Sequence, residues 1–300
     1  MEFKYLRETQ MALLEMAKDV DQLCRKHNIP YWISTGTVLG AVRNKGFIEW
    51  DDDLDLCFLI DDYHRMLKVL REELVPNHPH FILYNENRPF PHYSEYLADT
   101  RIVRDNLYPV KIDLIKVKSL PNTPEALQKD RDYLNLLAFM FDKKKELLVK
   151  DRDMIQKYLY EGSFLFKRER FMKDYIEYVD SLNKVEKDHV FVTTYNDMIA
   201  TKEVKHMHYD HLFPVKEIDF ETYPFFGPND LEVYLTNLYG KDYINPPPVN
   251  QREPFAKKLS KSVFSKSMSK KLMWTLYAMK AVKGSFSLAS KIKKLNKAHL

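Results

Sequence analysis

The feature that most constrains this chain is the run Asp51-Asp52-Asp53-Leu54-Asp55-Leu56-Cys57-Phe58-Leu59-Ile60, where acids pass directly into an apolar, β-favouring segment. Read as a strand, it puts Asp51, Asp53 and Asp55 on one side and Leu54, Leu56, Phe58 and Ile60 on the other. Three like charges on one face repel each other unless an opposite charge sits among them. Carboxylate oxygens are the ligands that a hard divalent cation takes. A bare acidic triplet reads equally as a solvated loop, but such a loop has no reason to run on into an alternating apolar strand. A calcium loop also spaces acids at alternate positions, yet it needs glycine sixth, and counting from Asp51 the sixth residue is Leu56. That reading fails.

Three further features bear on the same chemistry. Gly36-Thr37 follows a short strand pattern, Tyr31 to Ser34, and precedes a short helical pattern, Val38 to Asn44. A glycine there lets backbone N–H groups approach an anion, and the threonine hydroxyl adds a donor. Arg43 and Lys45 lie between this turn and the acids, and an arginine can grip a phosphate with two parallel hydrogen bonds. Asp113 stands alone inside the apolar run Val110 to Ile115, which is costly unless it is paired or metal-bound. Were its strand to lie beside the one carrying Asp53 and Asp55, it would complete a carboxylate cluster.

Around these residues the pattern predicts an α+β organisation. Leu6, Leu13, Leu14, Ala17, Val20, Leu23 and Cys24 recur at helical spacing, and Asn28 with Pro30 stops them. Residues 62–75 return to helical spacing, and 81–84, 96–104 and 111–118 read as strands. From Pro124 to Leu182 helix formers dominate. A last helix is expected from Asn229 to Leu238, stopped by Gly240, with Pro246-Pro247-Pro248 as a stiff connector. The expected division is a catalytic core at 1–120, a helical part completing the cleft at 121–250, and a basic amphipathic tail at 251–300.

The block GTVLGAVRNKGFIEWDDDLDL resembles the LicD-type phosphotransferases, which include phosphocholine transferases and the fukutin-related proteins. The likeness extends to KIDLIKV around Asp113 and to YLTNLYGKDYINPP at 234–247. Two departures are Glu49, where the family often has proline before the tryptophan, and Asp113-Leu114-Ile115-Lys116, where it often has aspartate, a hydrophobic residue, Phe and Pro. The resemblance implies a nucleotidyltransferase fold of the polymerase-β type, a mixed sheet with flanking helices. It also implies Mg²⁺ or Mn²⁺ held by Asp51, Asp53, Asp55 and Asp113, with Asp53, Asp55 and Asp113 catalytic. Gly36, Thr37, Arg43 and Lys45 would contact donor phosphate, and Tyr239 would border the acceptor. The implied donor is a CDP-linked alcohol, CDP-choline first. The implied acceptor is a sugar hydroxyl of a cell-surface glycan (lipopolysaccharide, teichoic acid or capsule) or its lipid-linked precursor. Two rival readings stand beside this: nucleotidylation of a small molecule with pyrophosphate release, and a non-catalytic binder of glycan or nucleotide.

Composition adds boundaries. Hydrophobic residues at 45% and charged ones at 30% exclude wholesale disorder. Two cysteines, Cys24 and Cys57, exclude a disulfide scaffold or a four-cysteine zinc site. His206, His208 and His211 lack a cysteine or acid at ligand spacing, and Cys57 reads as a small buried filler. Met1 to Arg7 lacks a signal peptide's apolar stretch, so a cytoplasmic protein is expected. The net charge of +4 hides a split: twelve lysines and no acid follow Glu253, leaving 35 basic against 43 acidic side chains in residues 1–254. Those lysines, interleaved with Phe264, Leu272, Trp274, Leu276 and Tyr277, suit an anionic membrane surface better than nucleic acid, for which no recognition fold is present. The expected place is therefore the inner face of the cytoplasmic membrane.

Overall fold

A computed structural model describes residues 4–87, 91–104, 109–141, 149–160, 164–193 and 205–261. The N-terminal elements are α1 (Leu6–Lys26), β1 (Trp32–Ile33), α2 (Thr35–Asn44), β2 (Leu54–Leu59) and α3 (Ile60–Val69), which runs on into one wide turn over Leu70–Leu74. The long strands β3 (Phe81–Asn87), β4 (Pro91–Arg104) and β5 (Pro109–Pro121) follow. Next come α4 (Pro124–Phe141), α5 (Arg152–Ile155), α6 (Phe164–Asp180), β6 (His189–Thr193), β7 (Met207–His208) and the single turn α7 (Tyr209–Leu212). The hairpin β8 (Lys216–Phe220) and β9 (Tyr223–Gly227), α8 (Leu231–Tyr239) and β10 (Leu259–Lys261) complete the described chain.

Among the described residues, strands β1-β2-β5-β4-β10 run side by side, with β3 on β4, β6 on β5 and β7 on β6. The pair β2–β5 is parallel and the other pairs are antiparallel, so the sheet is mixed, as expected. β5 is the spine. Its first half lies between β2 and β4, and its second half pairs with β6. A strand flanked on both edges and covered on both faces reads as a continuous apolar run, and all but two residues of β5 are buried.

Two cores form. The larger takes Leu13, Leu14, Ala17 and Val20 of α1, with Trp32, Val38, Leu56, Phe58, Ile112 and Leu114. The smaller gathers Leu136, Leu137 and Met140 of α4 with Tyr158 and with Phe171, Tyr175 and Val179 of α6. The helical part expected after residue 121 therefore has its own core, but that core ends with α6. Residues 205–261 return to the first core instead: Phe220, Phe225, Tyr234, Leu235, Ala256 and Leu259 all pack there. Helical and strand spacing identify apolar faces without saying which core each face fills. The basic segment also begins later than its composition suggests, because Leu259–Lys261 add a strand to β4 at Ile102 to Arg104. The lysine-rich residues 262–300 lie outside the described residues. No described helix is long and apolar enough to cross a membrane.

Helix α2 starts at Thr35, three residues before the pattern indicates, and ends at Lys45, whose φ of 61° turns the chain. Gly46 then gives room to Glu221: a Cβ there would lie 2.4 Å from its Oε1. Glu221 ties three segments together. It takes two 2.8 Å hydrogen bonds from Arg7 and one of 3.1 Å from the Phe47 N–H.

These donors hold the Glu221 carboxyl below its ordinary value of 4.5, the Arg7 hydrogen bonds contributing most. Its stabilisation is present above that ordinary value and is lost as pH falls through the lowered folded value. Because Arg7 is largely exposed, Glu221→Gln should cost only about 1 kcal/mol at pH 7. Urea melts should show that gap narrowing as pH falls below 4.5; a gap as wide in acid as at pH 7 would contradict this role.

Candidate active site

The parallel register of β2 and β5 sets Asp55 directly beside Asp113, although 58 positions separate them in sequence. Each is 8% exposed. Both acids stand near the ends of buried apolar strands, where backbone pairing rather than side-chain preference fixes their positions. The strand itself begins only at Leu54, so Asp51 and Asp53 stand in the segment leading into it rather than on a pleated face. They still converge. Asp51 and Asp53 share a hydrogen bond, and the charge of Asp113 acts on Asp53 and on Asp55.

The electrostatics follow from this crowding. Burial comes first in raising Asp51, Asp53 and Asp55, and the neighbouring carboxylates add to it. Asp51 is pushed up to about 9. Two unit charges about 4 Å apart in a partly buried setting repel by roughly 4 kcal/mol. The one cation bonded directly to these acids among the described residues is Lys111, whose Nζ bonds Asp113 Oδ1 and sits 3.5 Å from the Tyr96 ring centroid; Arg104 and Arg43 act on Asp53 and Asp51 from farther away. Lys111 lies two residues before Asp113 on β5, hence on the same face. The remaining charge and the all-oxygen donor set suit a hard divalent cation. Among the described residues, the one trio of such side chains with ligand atoms within 4.8 Å of each other is Glu186, Asp188 and His189, two of them exposed. The four aspartates are not drawn in that tightly.

The turn before α2 holds the acids in place. Thr35 donates its hydroxyl to Asp55 Oδ2, the Asp55 N–H donates to Thr37 Oγ1 at 3.0 Å, and the Asp55 carbonyl accepts from the Ser34 N–H at 3.1 Å. Ser34 in turn meets the Tyr234 hydroxyl of α8 at 2.6 Å. Thr37 is buried and supports the β2 backbone, while Thr35 supplies the hydroxyl that reaches a carboxylate. Thr35 has φ 45°, a left-handed conformation that costs a β-branched residue about 1–3 kcal/mol and is held here by its neighbours. Gly36 has a sharper reason to be glycine: a Cβ there would come 2.9 Å from Asp51 Oδ2.

Asp52 points away from the other acids. It is fully buried and accepts from the N–H groups of Phe255 and Ala256 at 2.8 and 3.0 Å. Arg104, itself 3% exposed, donates to the Asp52 carbonyl at 3.0 Å. The middle acid of the triplet thus fastens the chain's later segment beneath the site. Arg43 lies within electrostatic reach of Asp51 and Tyr239. Lys45 is exposed at the end of α2, and its carbonyl accepts from the Glu221 N–H. Tyr239 is 45% exposed at the end of α8. His208 and His211 have ring centroids 6.2 Å apart, and His211 lies 3.8 Å from Asp230. Cys57 is fully buried, and burial pushes its thiol far up. Thr35 and Arg252 escape a motif reading, and Lys111 and Tyr234 open segments of family likeness without being singled out. Only the hydroxyl-rich turn Ser34-Thr35-Gly36-Thr37 and the lysine two before Asp113 carried a signal.

With this geometry in view, comparison with known proteins is informative. Residues 28–106 match the family described as LicD/FKTN/FKRP, nucleotidyltransferase domain, a span that takes in Gly36, Arg43 and the acidic triplet but stops short of Asp113. The chain is 27% identical over 266 residues to the lipopolysaccharide cholinephosphotransferase LicD of Haemophilus influenzae, covering 83% of this chain and 95% of that protein. An uncharacterized protein of Rickettsia typhi is 32% identical over 127 residues, 36% of this chain and 41% of its own. Another, of Rickettsia prowazekii, is 43% identical over 60 residues, 20% and 23% of the two chains.

Gly36→Ala tests the acid cluster with little risk to the fold, because the Asp51 carboxylate can swing aside. The thermal midpoint should stay near wild type while Mn²⁺ affinity, followed by electron paramagnetic resonance, falls about ten-fold. Unchanged Mn²⁺ binding would remove Asp51 from the site.

Proposed function

From the match of residues 28–106 to the LicD/FKTN/FKRP nucleotidyltransferase domain and the likeness to a LicD cholinephosphotransferase over most of both chains, we propose that this chain is a LicD-type transferase that moves phosphocholine from CDP-choline to a sugar hydroxyl of lipopolysaccharide or a similar surface glycan. The observation that carries this reading is the carboxylate cluster: Asp55 beside Asp113 across a parallel strand pair, with Asp51 and Asp53 at its mouth. The mixed sheet around that pair agrees with a nucleotidyltransferase fold, which the family description names.

In this reading Asp51, Asp53, Asp55 and Asp113 hold Mg²⁺ or Mn²⁺. The ion supplies charge neutralisation of the donor diphosphate and of the departing nucleotide. The chain's own residues do the rest. Lys111 and the Thr35 hydroxyl keep Asp113 and Asp55 oriented toward the cleft. Asp113 takes the proton of the attacking sugar hydroxyl. A bond forms between that oxygen and the phosphorus bearing choline, the bond to the bridging diphosphate oxygen breaks, and CMP leaves. Tyr239, exposed at the end of α8, borders the path of the acceptor.

Purified protein given CDP-choline and divalent metal should release CMP. Asp53→Ala with Asp55→Ala should lower that release by at least about a thousand-fold, the scale of losing a cluster that acts as a unit. Pyrophosphate formed from CTP, with no CMP from CDP-choline, would replace this reading with nucleotidylation. CDP-glycerol and CDP-ribitol, run in parallel, test the choice of alcohol.

The acceptor is placed at the membrane surface, reached through the lysines beyond β10. Truncation should therefore follow Lys261 and keep Leu259–Lys261 in the sheet. Full-length protein should float with anionic vesicles at low salt and the 1–261 form should not. Failure of both to float would exclude membrane contact.

A further inference from the structure

Trp50, the residue before Asp51, carries two arginines. The Arg43 guanidinium carbon lies 5.8 Å from its ring centroid and that of Arg252 lies 5.1 Å away. The two arginines are 209 positions apart in sequence and are brought to one indole by the fold. All three side chains are half-buried.

Six other arginines are answered, while Arg131 and Arg152, like the two on Trp50, form no ion pair among the described residues. Arg7, Arg25, Arg65, Arg71 and Arg101 each pair with a carboxylate, and the buried Arg104 lies against Asp52. Arg43 and Arg252 form no ion pair among the described residues. Arg43 donates to Asn44 Oδ1 at 3.1 Å and to the Tyr243 carbonyl at 3.4 Å, and Arg252 to the Pro247 carbonyl at 2.8 Å. Glu49, Asp51 and Tyr239 reach Arg43 only through longer-range attraction, while partial burial and the charge of Arg252 hold its guanidinium below the ordinary value. Two like charges set together without an anion are disfavoured unless a ligand brings one. The hydrogen bonds of these two arginines use Nε and Nη1 of Arg43 and Nε of Arg252, so each guanidinium keeps further N–H groups, and such groups match phosphoryl oxygens two at a time.

The surroundings have room for such a ligand. Trp50 and Arg252 line an open groove of about 1460 Å³ with Gln10, Asn250 and the acids Glu8, Glu49 and Glu253, and Arg43 reaches the same indole from outside that lining. Gln10 Nε2 donates to the Asp51 carbonyl at 2.9 Å, so the groove abuts the main chain of the acid cluster. An anion held on Trp50 would therefore sit beside whatever the acids hold.

We propose that Arg43 and Arg252, both set over the Trp50 ring, form a two-guanidinium clamp for the diphosphate of the nucleotide donor. The choice of donor rests on the transfer reading above, since the diphosphate is the anion that must lie next to the acids. The clamp itself rests on the arginine geometry. Arg252 comes from the segment that Asp52 fastens through Phe255 and Ala256, so one acid of the triplet positions the clamp while its neighbours form the cluster.

The test is calorimetry with inorganic pyrophosphate and with CDP in metal-free buffer, where arginines rather than a cation must carry the binding. Wild-type protein should bind both. Arg43→Gln and Arg252→Gln should each weaken both by at least about ten-fold, the value of a charge-assisted bidentate contact. Should Arg252→Gln melt early, Arg252→Lys decides, because it keeps the charge and loses the fork: an affinity equal to wild type would overturn the clamp. In turnover, the KM for the donor should rise and that for the acceptor should not; the reverse would also overturn it. The two proposals separate cleanly. Arginine-dependent pyrophosphate binding without CMP release from CDP-choline would keep the clamp and sink the transfer reading. Turnover with arginine-independent binding would do the opposite.

Discussion

The contact on which the rest of the structure depends is the parallel pairing of β2 with β5, which sets Asp55 beside Asp113. Two carboxylates in neighbouring positions on buried strands are unfavourable for stability, and a fold assembled for packing alone would not put them there. The surroundings answer the repulsion in part. Lys111 bonds Asp113, the Thr35 hydroxyl bonds Asp55, and the Asp55 backbone is held by Ser34 and Thr37. Strain at Thr35 and proximity at Gly36 accompany the same arrangement. Local cost gathered around one set of acids is what a preorganised binding site looks like.

The acidic triplet divides its labour because successive side chains point different ways. Asp51 and Asp53 face the cluster, while Asp52 turns into the protein and binds two backbone N–H groups of residues 255 and 256. That bond draws the chain's later segment beneath the site, and β10 continues the attachment along β4. Tyr234 does the same from α8 through Ser34. The site is therefore built by residues up to β5 and closed by residues from beyond 230, while the smaller core is mostly helical and takes only Ile60 from before β5.

Much of this was legible beforehand. The alternation after Asp53 marked β2, the isolated Asp113 marked a second acid on an apolar strand, and residues 36–55 carried the family likeness. Helix α1 and the helical stretch from Pro124 followed their apolar spacing. Three things were not legible. Asp51 and Asp53 precede the strand, since pairing with β5 begins only at Leu54. Thr35, rather than Thr37, reaches the carboxylates, because the helix starts earlier and its first residue is left-handed. The return of residues 205–261 to the first core gave no local signal at all.

The sequence by itself determined which groups are available: four aspartates in apolar settings, a glycine-threonine turn, arginines and lysines close to both, and the likeness that orders them. Side-chain chemistry and short-range periodicity are properties of neighbouring residues, so they can be read along the chain. Tertiary structure decided what those groups meet. It put Asp113 beside Asp55, gave Asp52 to Phe255 and Ala256, and brought Arg252 to the indole that Arg43 already covers. Each of those contacts joins residues tens to hundreds of positions apart. Their partners were chosen by the burial of two cores and the register of one parallel strand pair, which no local pattern encodes.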